Sequence, residues 1–155
     1  MTTPITSLYE AISELLLRVD IATNQKTTDI CHVDLFETQP DREGKEIAYT
    51  LPAVFADFEL TGSETGFTHK EDYTLKIHLE SAQFGSTAQN SHNKENSLKS
   101  LERAEKLKFM LIKSLKMPAG FSPLQFVSLT LPKKGKNNPV HILTYKTSFH
   151  TRINC

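Results

Sequence analysis

The sequence predicts an α+β fold in which a mainly antiparallel sheet of about five strands packs with two helices. Two observations predict it. Five segments alternate apolar and polar residues as strands do, and two longer segments repeat apolar residues at helical spacing. Their order is helix, three strands, helix, two strands, without the regular strand–helix alternation of a parallel sheet. The 155 residues have the length of one domain, and we assign residues 1–155 to it.

The first helix is predicted over residues 4–19. Thr3 is a suitable N-cap, and Pro4 occupies the first helical position, where a missing N–H costs no hydrogen bond. Apolar side chains then recur every three or four residues along one face, at Ile5, Leu8, Tyr9, Ile12, Leu15, Leu16 and Val19.

Three strands are predicted next, over residues 31–36, 52–60 and 73–80. Pro52 cannot donate to a ladder, so it belongs at the start or the edge of its strand. Phe55 lies on the polar face of that strand, which indicates that this face is also partly covered. The inward face of the second strand consists of Val54, Ala56, Phe58 and Leu60. The third strand has the most regular alternation in the chain, with Tyr73, Leu75, Ile77 and Leu79 on one face.

A polar segment over residues 81–96 precedes the second helix, which is predicted over residues 97–115. Its inward residues are predicted to be Leu98, Leu101, Ala104, Leu107, Leu111 and Leu115. Its outward residues are predicted to be Lys99, Arg103, Lys106, Lys113 and Lys116. Residues 124–131 and 140–153 then flank a basic turn and are typical of a closing hairpin.

The net charge is zero, but the charges are segregated along the chain. Residues 1–90 hold 6 of the 18 basic and 15 of the 18 acidic side chains, so residues 91–155 hold 12 basic and 3 acidic ones. If this segregation survives folding, opposite-sign faces favour head-to-tail contacts of the kind that close into rings. The alternative is a solvated basic helix and turn on a neutral protein.

Several functional classes are disfavoured by composition. No segment approaches the roughly 20 apolar residues of a membrane span, and no secretory leader is visible. Two cysteines, Cys31 and Cys155, make neither a disulfide framework nor a metal knuckle, which favours free thiols in a cytoplasmic setting.

The strongest metal hypothesis comes from two short motifs. His32-x-Asp34 and His78-x-Glu80 each put an imidazole and a carboxylate on one strand face, and the four side chains could reach one ion if the two strands pair. Such pairs are common on solvated strand faces, and no further ligand cluster follows. We therefore expect no metal or other cofactor, with these four residues as the candidates if one binds.

Catalysis is not expected. Asp57 and Glu59 share a strand face and form the best general acid–base pair, but the other face of that strand is apolar, which favours a solvated outer face. No phosphate-binding glycine loop, nucleophile elbow or Cys/His dyad is visible. We predict that the protein is not an enzyme.

The order and spacing of the elements resemble those of bacteriophage tail terminators, also called tail-completion or neck proteins. The residues that carry the resemblance are Val33-Asp34-Leu35-Phe36, Pro52-Ala53-Val54-Phe55, Tyr73 to Glu80, Ser97 to Leu115 and Leu124 to Ile153. The resemblance covers nearly the whole chain and implies a structural ring, hexameric by analogy, that caps the tail tube and joins it to the head connector. It implies a place in the virion neck after assembly in the host cytoplasm, and no catalytic residues. Another head–tail connector or adaptor protein is the alternative.

The polar loops are the expected contacts with other copies, the tube protein and the connector. They are predicted over residues 38–50, 61–71, 84–96 and 132–139, and their charged candidates are Asp41, Arg42, Glu43, Glu64, Lys70, Lys94, Lys133, Lys134 and Lys136. A strand edge that pairs with a neighbouring sheet is a second possible route.

Non-specific contact with passing DNA is a further hypothesis. Its candidates are Lys133, Lys134 and Lys136 in the basic turn, because lysines can neutralise phosphates. The zero net charge and the absence of a DNA-binding motif argue against sequence-specific recognition. A small metal-binding or DNA-contacting accessory domain therefore remains the alternative to a ring protein.

Overall fold

The computed structural model describes residues 3–20, 22–26, 28–37, 49–66, 68–81, 90–130 and 138–152; the side chains of Asp20, residues 90–97 and Arg152 lie outside this description. Over these residues the chain forms helices α1 (Pro4–Leu17) and α2 (Asn90–Lys113). The strands are β1 (Val19–Asp20), β2 (Gln25–Lys26), β3 (His32–Leu35), β4 (Ala53–Thr65), β5 (Thr68–Glu80), β6 (Gln125–Thr130) and β7 (Val140–Arg152).

The main sheet has the order β3-β4-β5-β7-β6. All of its neighbouring strands are antiparallel except β3 and β4, which are parallel. β1 and β2 form a separate two-stranded ribbon that the sequence patterns did not reveal. The predicted α+β fold, with two helices and a mainly antiparallel five-stranded sheet, is confirmed for the described residues.

The start of α1 follows the predicted capping chemistry. The Thr3 hydroxyl accepts a hydrogen bond from the Thr6 backbone N–H at 3.2 Å, and Pro4 is the first helical residue. The helix ends at Leu17, two residues before the predicted boundary, because Val19 pairs with Lys26 in the β1–β2 ribbon instead of continuing the helix. Val19 is accordingly exposed.

The core lies between the helices and one face of the sheet. It includes Leu8, Ile12 and Leu16 of α1, Val54 and Ala56 of β4, Leu75, Ile77 and Leu79 of β5, Ala104, Leu107 and Leu111 of α2, and Leu143 and Tyr145 of β7. The predicted inward face of β5 is therefore confirmed, and that of β4 is confirmed at Val54, Ala56 and Phe58. Leu60, also predicted to face inward, is instead 54% exposed, at the point where the register of β4 against β5 shifts. The predicted cover on the other face is confirmed as well, because Phe55 is fully buried there.

The loop predicted over residues 61–71 is wrong. β4 and β5 remain paired as a ladder from Gly62 opposite Asp72 to Thr65 opposite His69, with one bulge after Leu60. Both faces of this stretch carry polar residues, so it lacks the apolar alternation by which strands are recognised. The extension instead relies on backbone pairing with β5 and, through β5, with β7.

The second helix begins earlier than predicted. It starts at Asn90, so the part of the predicted 84–96 loop from Asn90 onward is helical. Leu98, predicted to face inward, is 51% exposed, whereas Ser100 is buried. Successive helical residues are rotated by about 100°, so Leu98 lies about 200° from Ser100, on the side away from the core.

Candidate assembly surfaces

The outer side of β4 is open over most of the strand. β3 pairs with the first four residues of β4 only, and the pairing ends where the Phe36 N–H donates to the Ala56 carbonyl at 2.9 Å. The backbone N–H and C=O groups of alternate residues in a strand point to the same side. Phe58 and Leu60 therefore direct these groups away from β5, as Ala56 does. No strand in the described part of the chain pairs with Asp57–Thr65 on this side.

We call Asp57–Thr65 the acidic edge. Its charged side chains are Asp57, Glu59 and Glu64, with no Lys or Arg among them. Leu60, in the middle of the edge, is 54% exposed. The edge therefore combines unpaired backbone groups, negative charge and an uncovered apolar side chain.

The opposite side of the sheet ends at β6, which pairs with β7 alone among the described strands. We call Gln125–Thr130, together with Lys108 of α2 and Lys146 of β7, the basic edge. Lys146 is exposed and lies opposite Gln125, and the Lys108 ammonium lies 4.1 Å from the centroid of the Phe126 ring. The latter is a cation–π contact that holds the charge beside β6.

The basic edge also carries exposed apolar side chains. Val127, at the bulge in β6, is 48% exposed, and Ile112 on α2 is 41% exposed. Lys108 precedes Ile112 by one helical turn, so both side chains lie on the same side of α2. Each edge thus offers apolar surface beside charge of one sign.

Chain topology produces this separation of charge. The edge formed by β3 and β4 comes from the acidic first part of the sequence, whereas β6, β7 and α2 come from the basic second part. Their strands do not interleave across the sheet, so the segregation along the chain becomes segregation in space. Opposite-sign edges on one molecule are complementary to each other on two molecules.

Two of the predicted contact residues can be located. Glu64 and Lys70 lie opposite each other near the end of the β4–β5 hairpin, and the Lys70 ammonium lies 3.6 Å from the nearer Asp72 carboxylate oxygen. Lys94 lies in α2, with its side chain outside the description. The other predicted contact residues lie outside the described residues: Asp41, Arg42, Glu43, Lys133, Lys134 and Lys136. The last three are also the predicted DNA contacts.

The far end of the hairpin is ordered by polar contacts. Glu71 accepts hydrogen bonds from the Tyr73 hydroxyl and, at 2.7 Å, from His69 Nε2, and these bonds lower the pKa of Glu71. Burial and the Glu71 contact raise the pKa of Tyr73 to about 12. The Ser148 hydroxyl likewise donates to Asp72 at 2.5 Å, which lowers the pKa of Asp72. The contacts of Glu71 lie within β5, whereas the Ser148–Asp72 bond joins β7 to β5 beyond the core.

The metal hypothesis required that the strands of His32 and His78 pair, and in the sheet these two strands are not neighbours. His32 and Asp34 on β3 share a sheet face with His78 and Glu80 on β5, but β4 lies between the two strands. His32 Nε2 lies 3.7 Å from Asp34 Oδ2. Among the described residues, no three His, Cys, Asp or Glu side chains come close enough together to hold a metal.

On the sheet face away from the helices, the carboxylate of Glu80 is buried, which the sequence patterns did not predict. Glu80 is almost fully buried and accepts hydrogen bonds from the Tyr49 hydroxyl at 2.6 Å and from Asn138 Nδ2 at 3.0 Å. Tyr49 also stacks on His32, with ring centroids 5.3 Å apart. The segments next to β4 and β7 are thereby attached to the sheet face away from the helices.

Asp57 and Glu59, considered above as an acid–base pair and disfavoured, lie on the acidic edge. Asp57 is half-buried, with Oδ2 3.9 Å from His78 Nε2, while Glu59 is exposed. Neither residue lines the groove of about 380 Å³ that the fold forms between α2 and the end of α1. The expectation that the protein is not an enzyme stays a prediction.

That groove contains an ion pair that sequence reasoning missed. Arg103, predicted to face solvent, donates from Nε to Asp29 Oδ2 at 2.5 Å and from Nη1 to the Ser81 hydroxyl at 3.0 Å. His141 is nearly fully buried, and no described group bonds to its Nδ1. Burial, with a smaller contribution from the Arg103 charge, lowers the pKa of His141. No sequence signal distinguished Arg103 from the other basic residues of α2.

No protein-family model matches the chain, and no curated protein matches it.

Within the described residues, none of the helices has both the length and the apolar character that a membrane span requires.

Proposed function

We propose that the protein is a structural protein of a bacteriophage virion, a tail terminator or a related neck protein, that assembles into a ring. The observation that carries the proposal is a sheet whose two edges carry opposite charge and have no further strand beside them among the described residues. A surface that complements a different surface of the same molecule makes head-to-tail contacts, and these close into rings when the rotation between copies allows it.

The order of the elements supports the narrower assignment. The sequence resembles tail terminators in its succession of helix, three strands, helix and two strands, and the proposed ring caps the tail tube and joins it to the head connector. By that resemblance the ring is hexameric, acts without catalysis and belongs to the virion neck after assembly in the host cytoplasm. A connector or adaptor ring elsewhere in the neck is the alternative assignment within the same class.

The first test is the mass of the purified full-length protein, measured by mass photometry and sedimentation over a range of concentrations, with and without a chelator. A ring of several subunits that is unaffected by the chelator is expected. Loss of the assembly on chelation would contradict this proposal and favour a metal-binding role.

The second test separates a terminator from other neck proteins. Tail tubes polymerised from the tube protein of the same virus are mixed with the purified protein and imaged by electron microscopy. A terminator binds one end of each tube and stops its growth. Tubes that elongate at the same rate with bare ends would contradict the terminator assignment.

DNA contact is tested with a variant that replaces Lys133, Lys134 and Lys136 by glutamine. Weaker retention of duplex DNA at moderate salt, with ring assembly intact, is expected if these lysines contact phosphates. Unchanged retention of DNA, or unchanged DNA delivery by assembled particles, would remove this part of the proposal.

A further inference from the structure

We propose that the acidic edge of one copy pairs with the basic edge of the next, so that β6 of the neighbour adds to the sheet beside β4. This inference rests on the proposed ring and specifies how its subunits join. Strand addition uses backbone groups that are already aligned, and it covers two edges with which no strand of the described residues pairs.

The backbone supplies the first argument. Phe58 and Leu60 direct N–H and C=O groups away from β5, and none of the described strands accepts them. Likewise, none of the described strands pairs with the outer side of β6 along its six residues. Two open edges on one sheet are the requirement for a sheet that continues from copy to copy.

Charge selects which edges meet. Pairing two acidic edges would bring Asp57, Glu59 and Glu64 against their own copies, and pairing two basic edges would oppose the lysines at positions 108 and 146. Pairing an acidic with a basic edge brings opposite charges together. The like-with-like pairings would give closed dimers, whereas the favoured one is head-to-tail and extends to a ring.

Strand direction fits the same arrangement. β4 is antiparallel to β5, β5 to β7, and β7 to β6, so β4 and β6 run in opposite directions at the two edges. A neighbour related by rotation about an axis along the strands therefore places its β6 antiparallel to β4. The pairing also covers Leu60 on one copy and Val127 on the other, both of which are exposed in the single chain.

Single-cysteine variants test the contact directly. In full-length protein carrying Cys31→Ser and Cys155→Ser, one preparation contains Glu59→Cys and another contains Ser128→Cys. Both positions are exposed and lie on the sheet face away from the helices. A short bis-maleimide tolerates a small difference in register. Dimers are expected when the two preparations are mixed, and not from either preparation alone. Lys76→Cys is the matched control, because it lies at an exposed position in the middle of the sheet. It should form no dimers when it takes the place of Glu59→Cys or of Ser128→Cys in the mixture.

Charge reversal provides a second readout. Glu59→Lys or Lys146→Glu alone is expected to weaken assembly by about tenfold or more, equivalent to roughly 1.4 kcal/mol. The two changes together should restore assembly toward the wild-type level. Lys76→Glu should not weaken it, because Lys76 lies opposite Asp57 and its reversal adds negative charge beside the acidic edge. Circular dichroism and the melting temperature verify that each variant is folded.

The outcomes separate this inference from the proposed function. Dimers within one single-cysteine preparation, or rings with no crosslink between the two preparations, would overturn the edge pairing and leave the ring in place. If copies assemble only on tail tubes, the same mixtures are crosslinked there and interpreted in the same way. A protein that stays monomeric even with tail tubes would overturn both the pairing and the ring.

Discussion

At the scale of the residue, burial gives His141 and Arg103 properties that cannot be inferred from their residue types alone. Arg103 bonds to Asp29 and Ser81 rather than to solvent, and its positive charge lies near the buried imidazole of His141. Burial and this charge both disfavour a second positive charge on the ring. The folded protein therefore favours the neutral form of His141.

Because of this arrangement, the stability of the protein should depend on pH. The substitution His141→Gln should reduce that dependence. The folded state lowers the pKa of His141 below its ordinary value of 6.5, so unfolding takes up a proton as the pH falls below that value. The free energy of unfolding should decline between about pH 7.5 and pH 5.5, by at most about 1.36 kcal/mol per pH unit from this group. His141→Gln should remove that part of the slope.

Urea unfolding over this pH range measures the effect. His150→Gln is the control, because His150 is exposed at the far end of β7. Equal slopes for wild type and His141→Gln would show that His141 is protonated alike in the folded and unfolded chains.

A second prediction at this scale concerns Gly120. Its φ of +95° is unfavourable for other residues, and an added Cβ would lie 2.6 Å from Phe149 Cε2. Gly120→Ala should therefore destabilise the protein by about 1–3 kcal/mol. Gly66→Ala is the control, since no atom lies within 4 Å of its added Cβ, and should change stability by less than about 0.5 kcal/mol. Thermal unfolding compares them, and equal effects would contradict the predicted clash.

At the scale of the element, burial depends on the face of each helix and strand that the rest of the chain covers. α2 packs through Ala104, Leu107 and Leu111, although Leu98 has the same apolar character. The ends of β4 and β5 contribute little apolar surface, yet they stay in the sheet through backbone pairing. Element length is thus set by pairing as much as by apolar periodicity.

Two leucine truncations in α2 test this description. Leu111→Ala should reduce the free energy of unfolding by about 2–5 kcal/mol, because the side chain is buried in the core. Leu98→Ala should change it by less than about 0.5 kcal/mol, because the side chain is exposed. Chemical denaturation of the two variants side by side gives the comparison. A large loss at Leu98 would mean that another copy or segment covers this face.

At the scale of the whole molecule, sheet order places the acidic and basic parts of the chain at opposite edges. Neither the zero net charge nor the sequence of elements defines these edges, since strands from the two ends of a chain can interleave. Here β5 and β7 occupy the middle, and in the described part of the chain no strand pairs with the outer sides of Asp57–Thr65 and β6. The molecule is therefore electrically neutral but polarised across its sheet.

This polarity predicts that assembly weakens as salt is added. Salt screens attraction between exposed charges, and the Debye length falls from about 10 Å at 0.1 M to about 3 Å at 1 M. Mass photometry should show fewer assembled copies at high salt, and the Glu59→Lys, Lys146→Glu double variant should respond as wild type does. Assembly that strengthens with salt would indicate an apolar interface in place of a charged one.

Local sequence patterns were enough to locate most of the helices and strands. Apolar spacing identified α1 and the core of α2, and Phe55 indicated cover on the other face of β4. The alternation of β4 and β5 identified their inward faces except at Leu60, which is exposed. These properties are local, because period and residue type report which side of an element is buried. The separation of charge along the chain was also evident from the sequence.

Only the tertiary structure decided which strands are neighbours and which side chains meet. The insertion of β4 between β3 and β5 separates the four metal candidates, and the fold brings Asp29 to Arg103 across 74 positions of the chain. The hairpin extension and the exposure of Leu98 have the same origin. Each depends on pairing or packing between distant segments, whose free energy is set by the whole chain and leaves no local pattern in the sequence.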